Sequence, residues 1–176
     1  TFIRNCQINN CITQHYVIRM SGGISELDEI SISFDDINNG IGGIEFNNKK
    51  IIIEHSIFMR TNIESSIKIE QNEANSDQIM INDCTFDSCQ GTVSNCISIS
   101  SHTTNFEIKN IIIQNIKQED SGYLVNINCN NKLNTILLDN ISFINNECKS
   151  DYGGGSGLFI IGVDTIWFSK CQFINN

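Results

Sequence analysis

Two cysteine pairs, Cys6/Cys11 and Cys84/Cys89, each stand five residues apart, and theirs is the first spacing in this chain that invites chemistry. Zinc sites bring thiolates together at C-x-x-C-like gaps with further Cys or His ligands at fixed offsets. No C-x-x-C occurs, and His15, His55 and His102 are isolated in the sequence, so a structural zinc site is not expected. A catalytic thiol needs a positioned imidazole, and no local spacing supplies one. Two readings stay open. Either Cys6–Cys11 and Cys84–Cys89 close small loops across a corner as disulfides, or these thiols lie free in a core as small apolar side chains. Eight cysteines in 176 residues favour an oxidising compartment, with Cys96, Cys129 and Cys148 left without assigned partners.

Carboxylates are the second candidate. Asp35-Asp36 is the one adjacent Asp pair, with Glu26, Asp28 and Glu29 shortly before it. A polysaccharide lyase or glycoside hydrolase uses such groups for Ca²⁺ or acid/base work, together with a basic residue at the sugar. No Arg or Lys stands at a matching offset in the neighbouring stretches, and no N-T-D, G-H-G or R-I-K string occurs. These acids read as solvated turn residues. No catalytic, cofactor-binding or metal-binding residue is assigned, and no cofactor is expected. One N-x-[ST] sequon, Asn140-Ile141-Ser142, makes Asn140 a glycan acceptor in a secreted eukaryotic setting.

The elements that position these residues show in the composition. Proline is absent, Ala occurs once (Ala74), and Ile and Asn are heavily used. β-Branched Ile favours strands and Asn favours turns, so the balance is β with polar corners. A net charge of -9 argues against a nucleic-acid partner. No apolar run approaches the roughly 20 residues of a membrane-spanning helix, so no membrane insertion by this segment is expected.

One frame recurs: apolar, x, apolar, x, x, small or apolar, x, apolar, x, x, turn residue. Its clearest copies are Ile79/Ile81/Cys84/Phe86/Cys89, Ile136/Leu138/Ile141/Phe143/Asn146 and Ile166/Phe168/Cys171/Phe173/Asn176. Weaker copies are Ile30/Ile32/Asp35/Ile37/Gly40, Ile51/Ile53/Ser56/Phe58/Thr61 and Phe106/Ile108/Ile111/Ile113/Ile116, with a truncated first copy at Ile3/Cys6/Ile8/Cys11. The anchors Ile8, Ile37, Phe58, Phe86, Ile113, Phe143 and Phe173 are spaced by 29, 21, 28, 27, 30 and 30 residues. Such a period marks a solenoid. Between anchors a second alternating pair appears, as in Ile44-x-Phe46, Ile67-x-Ile69, Ile97-x-Ile99, Val125-x-Ile127 and Leu158-x-Ile160, in several copies after glycines such as Gly42-Gly43, Gly122 and Gly153-Gly154-Gly155. Three short strands per repeat then make one coil of a β-helix, with Cys6, Cys84 and Cys171 sharing one inward slot and Cys11 and Cys89 another. A leucine-rich repeat is the competitor, but Leu is scarce and no 3.6-residue period is present for its helix.

Phe143-Ile144-Asn145-Asn146 and Phe173-Ile174-Asn175-Asn176 spell F-x-x-N, while Gly42-Gly43-Ile44 and Gly154-Gly155-Ser156-Gly157-Leu158 are relatives of a G-G-A-[ILV] motif. In these features the chain resembles the polymorphic outer-membrane-protein repeat, most closely from Ile136 to Ile160. It departs from that pattern in having no Ala after Gly-Gly and no Asn in the copies around Phe58 and Ile113. The resemblance implies a right-handed parallel β-helix used as a surface-exposed passenger or ectodomain in adhesion or coat structure.

The expected fold is therefore an all-β, right-handed parallel β-helix with three short strands per coil and about six to seven coils. Residues 1–176 form one segment, expected to continue beyond both ends in a longer protein. The expected function is non-enzymatic: a structural spacer, filament or coat component, or adhesin, at the cell surface or outside the cell. Its expected partners are neighbouring coils, stacked copies, and surface glycans or proteins.

Overall fold

The computed structural model describes residues 1–10, 16–34, 43–61, 65–71, 78–89, 94–101, 105–118, 123–129, 135–148 and 157–176. These contain strands and no helix. In chain order they are β1 (Phe2–Asn9), β2 (Ile18–Ser21), β3 (Ile24–Ser33), β4 (Ile44–Asn47), β5 (Lys50–Glu54) and β6 (Ile57–Met59). Then come β7 (Ile67–Glu70), β8 (Gln78–Asn82), β9 (Thr85–Asp87), β10 (Ser94–Ser101), β11 (Asn105–Gln114) and β12 (Lys117–Gln118). The last six are β13 (Tyr123–Cys129), β14 (Thr135–Ile144), β15 (Glu147–Cys148), β16 (Leu158–Ile161), β17 (Thr165–Ser169) and β18 (Gln172–Ile174).

Every pairing is parallel, and strands pair with the equivalent strand one turn away, so the chain is a parallel β-solenoid. One sheet runs β17-β14-β11-β8-β5-β3 with β1 on β3, and a second runs β16-β13-β10-β7-β4-β2. Four turns, carried by β4/β5, β7/β8, β10/β11 and β13/β14, have hydrogen-bonded neighbours on both sides in both sheets. That is fewer complete coils than the six to seven expected, because the outer turns are covered on one side only. The two apolar pairs of the sequence frame lie on the same sheet: β5 and β6 are separate strands, whereas β11 and β14 run through both. A short pair, β12 with β15, forms a third, small sheet.

Alternation explains the packing. In β5 and β8 buried residues alternate with half-buried ones, so Ile51, Ile53, Ile79 and Ile81 point inward. Each such side chain, fully buried, contributes about 1.5–3 kcal/mol. The inner ladder runs Ile8, Ile32, Phe58, Phe86, Ile113, Phe143, Phe173 in register. Phe58 stacks on Phe86 at 5.0 Å between ring centroids, and Phe143 on Phe173 at 4.6 Å. Ile37, expected in this ladder, lies outside the described residues, and Ile32 holds the slot between Ile8 and Phe58. Phe173, on the last turn, is 58 % exposed.

The corners carry a repeated conformation. Left-handed φ values occur at Asn5/Asn10, His55/Arg60, Asp83/Ser88, Asn110/Asn115, Asn140/Asn145 and Lys170/Asn175, always five residues apart, and singly at Glu29. The φ > 0 backbone turns the chain, yet its N–H still continues the ladder: Asp83 N–H reaches the Lys109 carbonyl at 3.1 Å and Asn145 N–H reaches that of Ile174 at 2.8 Å. Asn tolerates this region best among non-glycine residues, which accounts for its abundance here. Inside one corner, Asn146 is 1 % exposed, and its side-chain N–H₂ donates to the Ile113 carbonyl (3.1 Å) while its oxygen accepts from Ile116 N–H (3.1 Å). Asn176 repeats the arrangement on the Phe143 carbonyl at 2.9 Å.

Candidate functional site

The outward rows obey the same register as the core, so each exposed side chain faces its counterparts on adjacent coils at about 4.8 Å. One such row is Arg4, Asp28, Glu54, Asn82, Lys109, Asp139, Ser169. At its start, an Arg4 guanidinium nitrogen lies 2.5 Å from Glu26 Oε1 and another lies 3.9 Å from Asp28 Oδ2. Next to it, His55 Nδ1 is 2.8 Å from Asp28 Oδ1, and His55 Nε2 is 3.6 Å from Asp83 Oδ2. The hydrogen bond to Asp28 raises the His55 pKa above its ordinary value, aided by the charges of Asp28, Asp83 and Glu54 against the opposing effect of desolvation.

This cluster corrects two expectations. A basic residue does meet the acidic group: Arg4 converges on Glu26 and Asp28, at an offset of 24 residues that the later spacings of 27 to 30 do not suggest. His55 is not isolated either, because the corner conformation at φ 48° places its ring between carboxylates of the coils on either side. Asp35 and Asp36 lie outside the described residues. The cluster is solvent-open, with Arg4 57 % and His55 55 % exposed. Hollows among the described residues lie elsewhere. One, about 320 Å³, is lined by Arg19, Glu45, Phe46, Asn47 and Glu70; another, about 500 Å³, by Lys50, Gln78, Asn105, Phe106, Glu107 and Thr135. Among the described residues no group of three or more His, Cys, Asp and Glu side chains is set to hold a metal ion.

The remaining polar corners are ladders of amides and acids. Asn140 Nδ2 donates to Asn110 Oδ1 (2.8 Å), and Asn110 Nδ2 to Asn82 Oδ1 (3.1 Å). Asn175 Nδ2 donates to Asn145 Oδ1 at 3.2 Å. Burial pushes the Asp87 pKa up, but donation from Gln114, Ser88 and Asn115 outweighs it and leaves the carboxyl below its ordinary value. On the second sheet Arg19 pairs with Glu45, and Lys68 lies 3.7 Å from Glu45 and 3.0 Å from Glu70. The Arg19–Glu45 and Lys68–Glu45 pairs tie one coil to the next, while Lys68–Glu70 lies within β7.

Cys84, Cys89 and Cys96 are free and buried, Cys129 is buried, and Cys6 is free and exposed. A Cys84–Cys89 disulfide is ruled out by the extended strand β9 between them. The four Cα steps from Cys84 to Ser88, about 3.3 Å each, cover about 13 Å, so even a final step to Cys89 that turns back leaves the two Cα atoms beyond the roughly 7 Å that a disulfide bridges. Instead the Cys84 thiol lies 3.2 Å from the Asn82 carbonyl and the Cys89 thiol 3.4 Å from that of Phe58. Cys11 lies outside the described residues, and Cys6 is not in a disulfide. Desolvation pushes the Cys84 pKa up to about 12, so its thiol is inert at neutral pH.

Asn140, the sequon residue, stands exposed at a left-handed corner with φ 56°, and the sequon hydroxyl of Ser142 accepts a hydrogen bond from Gln172 Nε2 at 2.7 Å. No family model, curated protein or solved structure matches the chain.

Proposed function

We propose that this chain is a non-enzymatic, right-handed β-helical spacer, filament or coat component, or adhesin, used at the cell surface or outside the cell. Right-handedness follows the rule for parallel strands joined by crossovers. Three β segments per coil are supported by the left-handed corner that parts two segments of the first sheet, as His55 parts β5 from β6, together with one strand of the second. The observation that carries the functional reading is the outer surface: Arg4 with Glu26, Arg19 with Glu45 and Lys68 with Glu45 pair coil on coil along the stack rather than converging unpaired in a cleft. Function then resides in length, stiffness and outward corners. The extracellular placement draws on the Asn140 sequon, the acidic charge and the motif resemblance. The free thiols of Cys84 and Cys89 remove the support that disulfides would have lent it.

A polysaccharide-active enzyme is the second reading, and the meeting of Arg4 with Glu26 and Asp28 is what favours it. The test is incubation with a panel of neutral and uronic-acid polysaccharides, followed by measurement of new reducing ends and unsaturated uronates. The structural reading expects no turnover. Turnover that disappears in Arg4→Ala and Glu26→Gln would replace it with the enzymatic one.

A further inference from the structure

We propose that His55 is a pH-operated staple that joins three successive coils. It sits at the corner slot shared by Glu29 in the coil before and Asp83 in the coil after, while Asp28 lies on the preceding coil and Glu54 beside it. Parallel in-register stacking gives this region a specific electrostatic problem. Asp28 faces Glu54 across one coil step, so like charges stand about 5 Å apart. The charged groups facing the imidazole are Asp28, Glu29, Glu54 and Asp83, with Arg4 reaching Asp28 from the first coil and already bonded to Glu26.

A neutral imidazole has one N–H, so it donates toward Asp28 or Asp83 and presents a lone pair to the other carboxylate. The protonated ring donates on both sides at once and adds a positive charge in the middle of the acidic column. Nδ1 is at hydrogen-bond distance from Asp28, 2.8 Å, and Nε2 at ion-pair distance from Asp83, 3.6 Å, so a protonated ring bonds the one carboxylate and attracts the other. The backbone is set for it as well, because φ 48° at His55 aims the ring along the stack at a corner where most coils place Asn, Asp or Lys. Since the folded-state pKa is raised, the staple is complete below the unfolded value of about 6.5 and is lost as pH rises through the folded value. A spacer built this way is held more tightly in acid than in alkali, within the range where carboxylates remain charged.

The test is an NMR titration of the histidine rings in the whole chain, paired with thermal unfolding at pH 5.5 and pH 8. His55→Asn suits the left-handed corner and identifies the His55 resonance by its disappearance. The proposal expects a His55 midpoint above 6.5 that shifts down in Asp28→Asn and, separately, in Asp83→Asn. It also expects the melting temperature of the parent to exceed that of His55→Asn by more at pH 5.5 than at pH 8. A midpoint at or below 6.5, a midpoint indifferent to Asp83→Asn, or an unfolding gap independent of pH would overturn it.

Discussion

Truncating Ile113 to alanine should destabilise the chain far more than truncating its neighbour Ile112. The two residues share a strand and a chemistry, but Ile113 is 0 % exposed between Phe86 and Phe143, whereas Ile112 is 41 % exposed between Thr85 and Ser142. Ile→Ala removes three carbons, worth about 2.4 kcal/mol of transfer energy at roughly 0.8 kcal/mol each. A residual cavity of up to about 75 Å³ adds about 1.8 kcal/mol, for a total near 4 kcal/mol. At about 2–4 °C per kcal/mol for a chain of this size, the melting temperature should fall by about 8–16 °C. Ile112→Ala loses only part of the transfer energy and makes no internal cavity, so about 1 kcal/mol or less is expected. Thermal and urea unfolding followed by circular dichroism measures both. Equal losses, or a larger loss at Ile112, would refute the inward ladder, because a one-residue slip exchanges the two faces.

Further outcomes follow from the corners and the thiols. Asn146→Ala should destabilise by about 2–4 kcal/mol, since it orphans the Ile113 carbonyl and the Ile116 N–H, and Asn146→Thr should recover part of this because Thr61 fills the equivalent slot of another coil; urea titration reads both. Asn110→Val forces a β-branched residue to φ 52° and should lose about 1–2 kcal/mol more than Asn110→Gly, which gives up the same amide bonds without the backbone strain, in the same assay. Iodoacetamide at pH 8 should label Cys6 in the native chain and reach Cys84, Cys89 and Cys96 only after unfolding, as mass spectrometry of the peptides would show. Because burial raises the Cys84 pKa from 9.0 to about 12 in the folded chain, its thiol favours folding below pH 9 and that contribution is lost as pH climbs toward 12; stability measured across that range should decline, and less so in Cys84→Ser.

The inner ladder was legible wherever the frame is regular. Phe58, Phe86, Ile113, Phe143 and Phe173 each fall in the slot their spacing indicates, and so do the second-sheet pairs from Ile44/Phe46 to Leu158/Ile160. Between Ile8 and Phe58 the slot is held by Ile32, and Ile37, the residue expected there, lies outside the described residues. Corners recur five residues apart within each turn, so Ile32 and Ile37 fit the same local pattern, and only pairing to Ile8 and Phe58 selects Ile32. The corner slots themselves were half hidden. Asn110, Asn115, Asn140 and Asn145 announce a left-handed turn by residue type, but Glu29, His55, Arg60 and Lys170 adopt it because the neighbouring coils hold the backbone there. The Cys84–Cys89 disulfide looked feasible because a separation of five says nothing about whether the intervening chain is bent or extended. Arg4 escaped notice as a partner of Asp28 because the first coils are shorter than the later ones.

The stacking itself is best measured by distance. Nitroxide labels on a non-cysteine handle at Ile57 and Gln172, four coil steps apart in one outward row, should lie about 19 Å apart at 4.8 Å per step. Moving the first label to Ser31 adds one step and should give about 24 Å. Pulsed dipolar spectroscopy yielding these two separations, differing by about one coil spacing, is what the parallel stack requires. Separations that fail to grow by that increment, or that are broad and much longer, would contradict it.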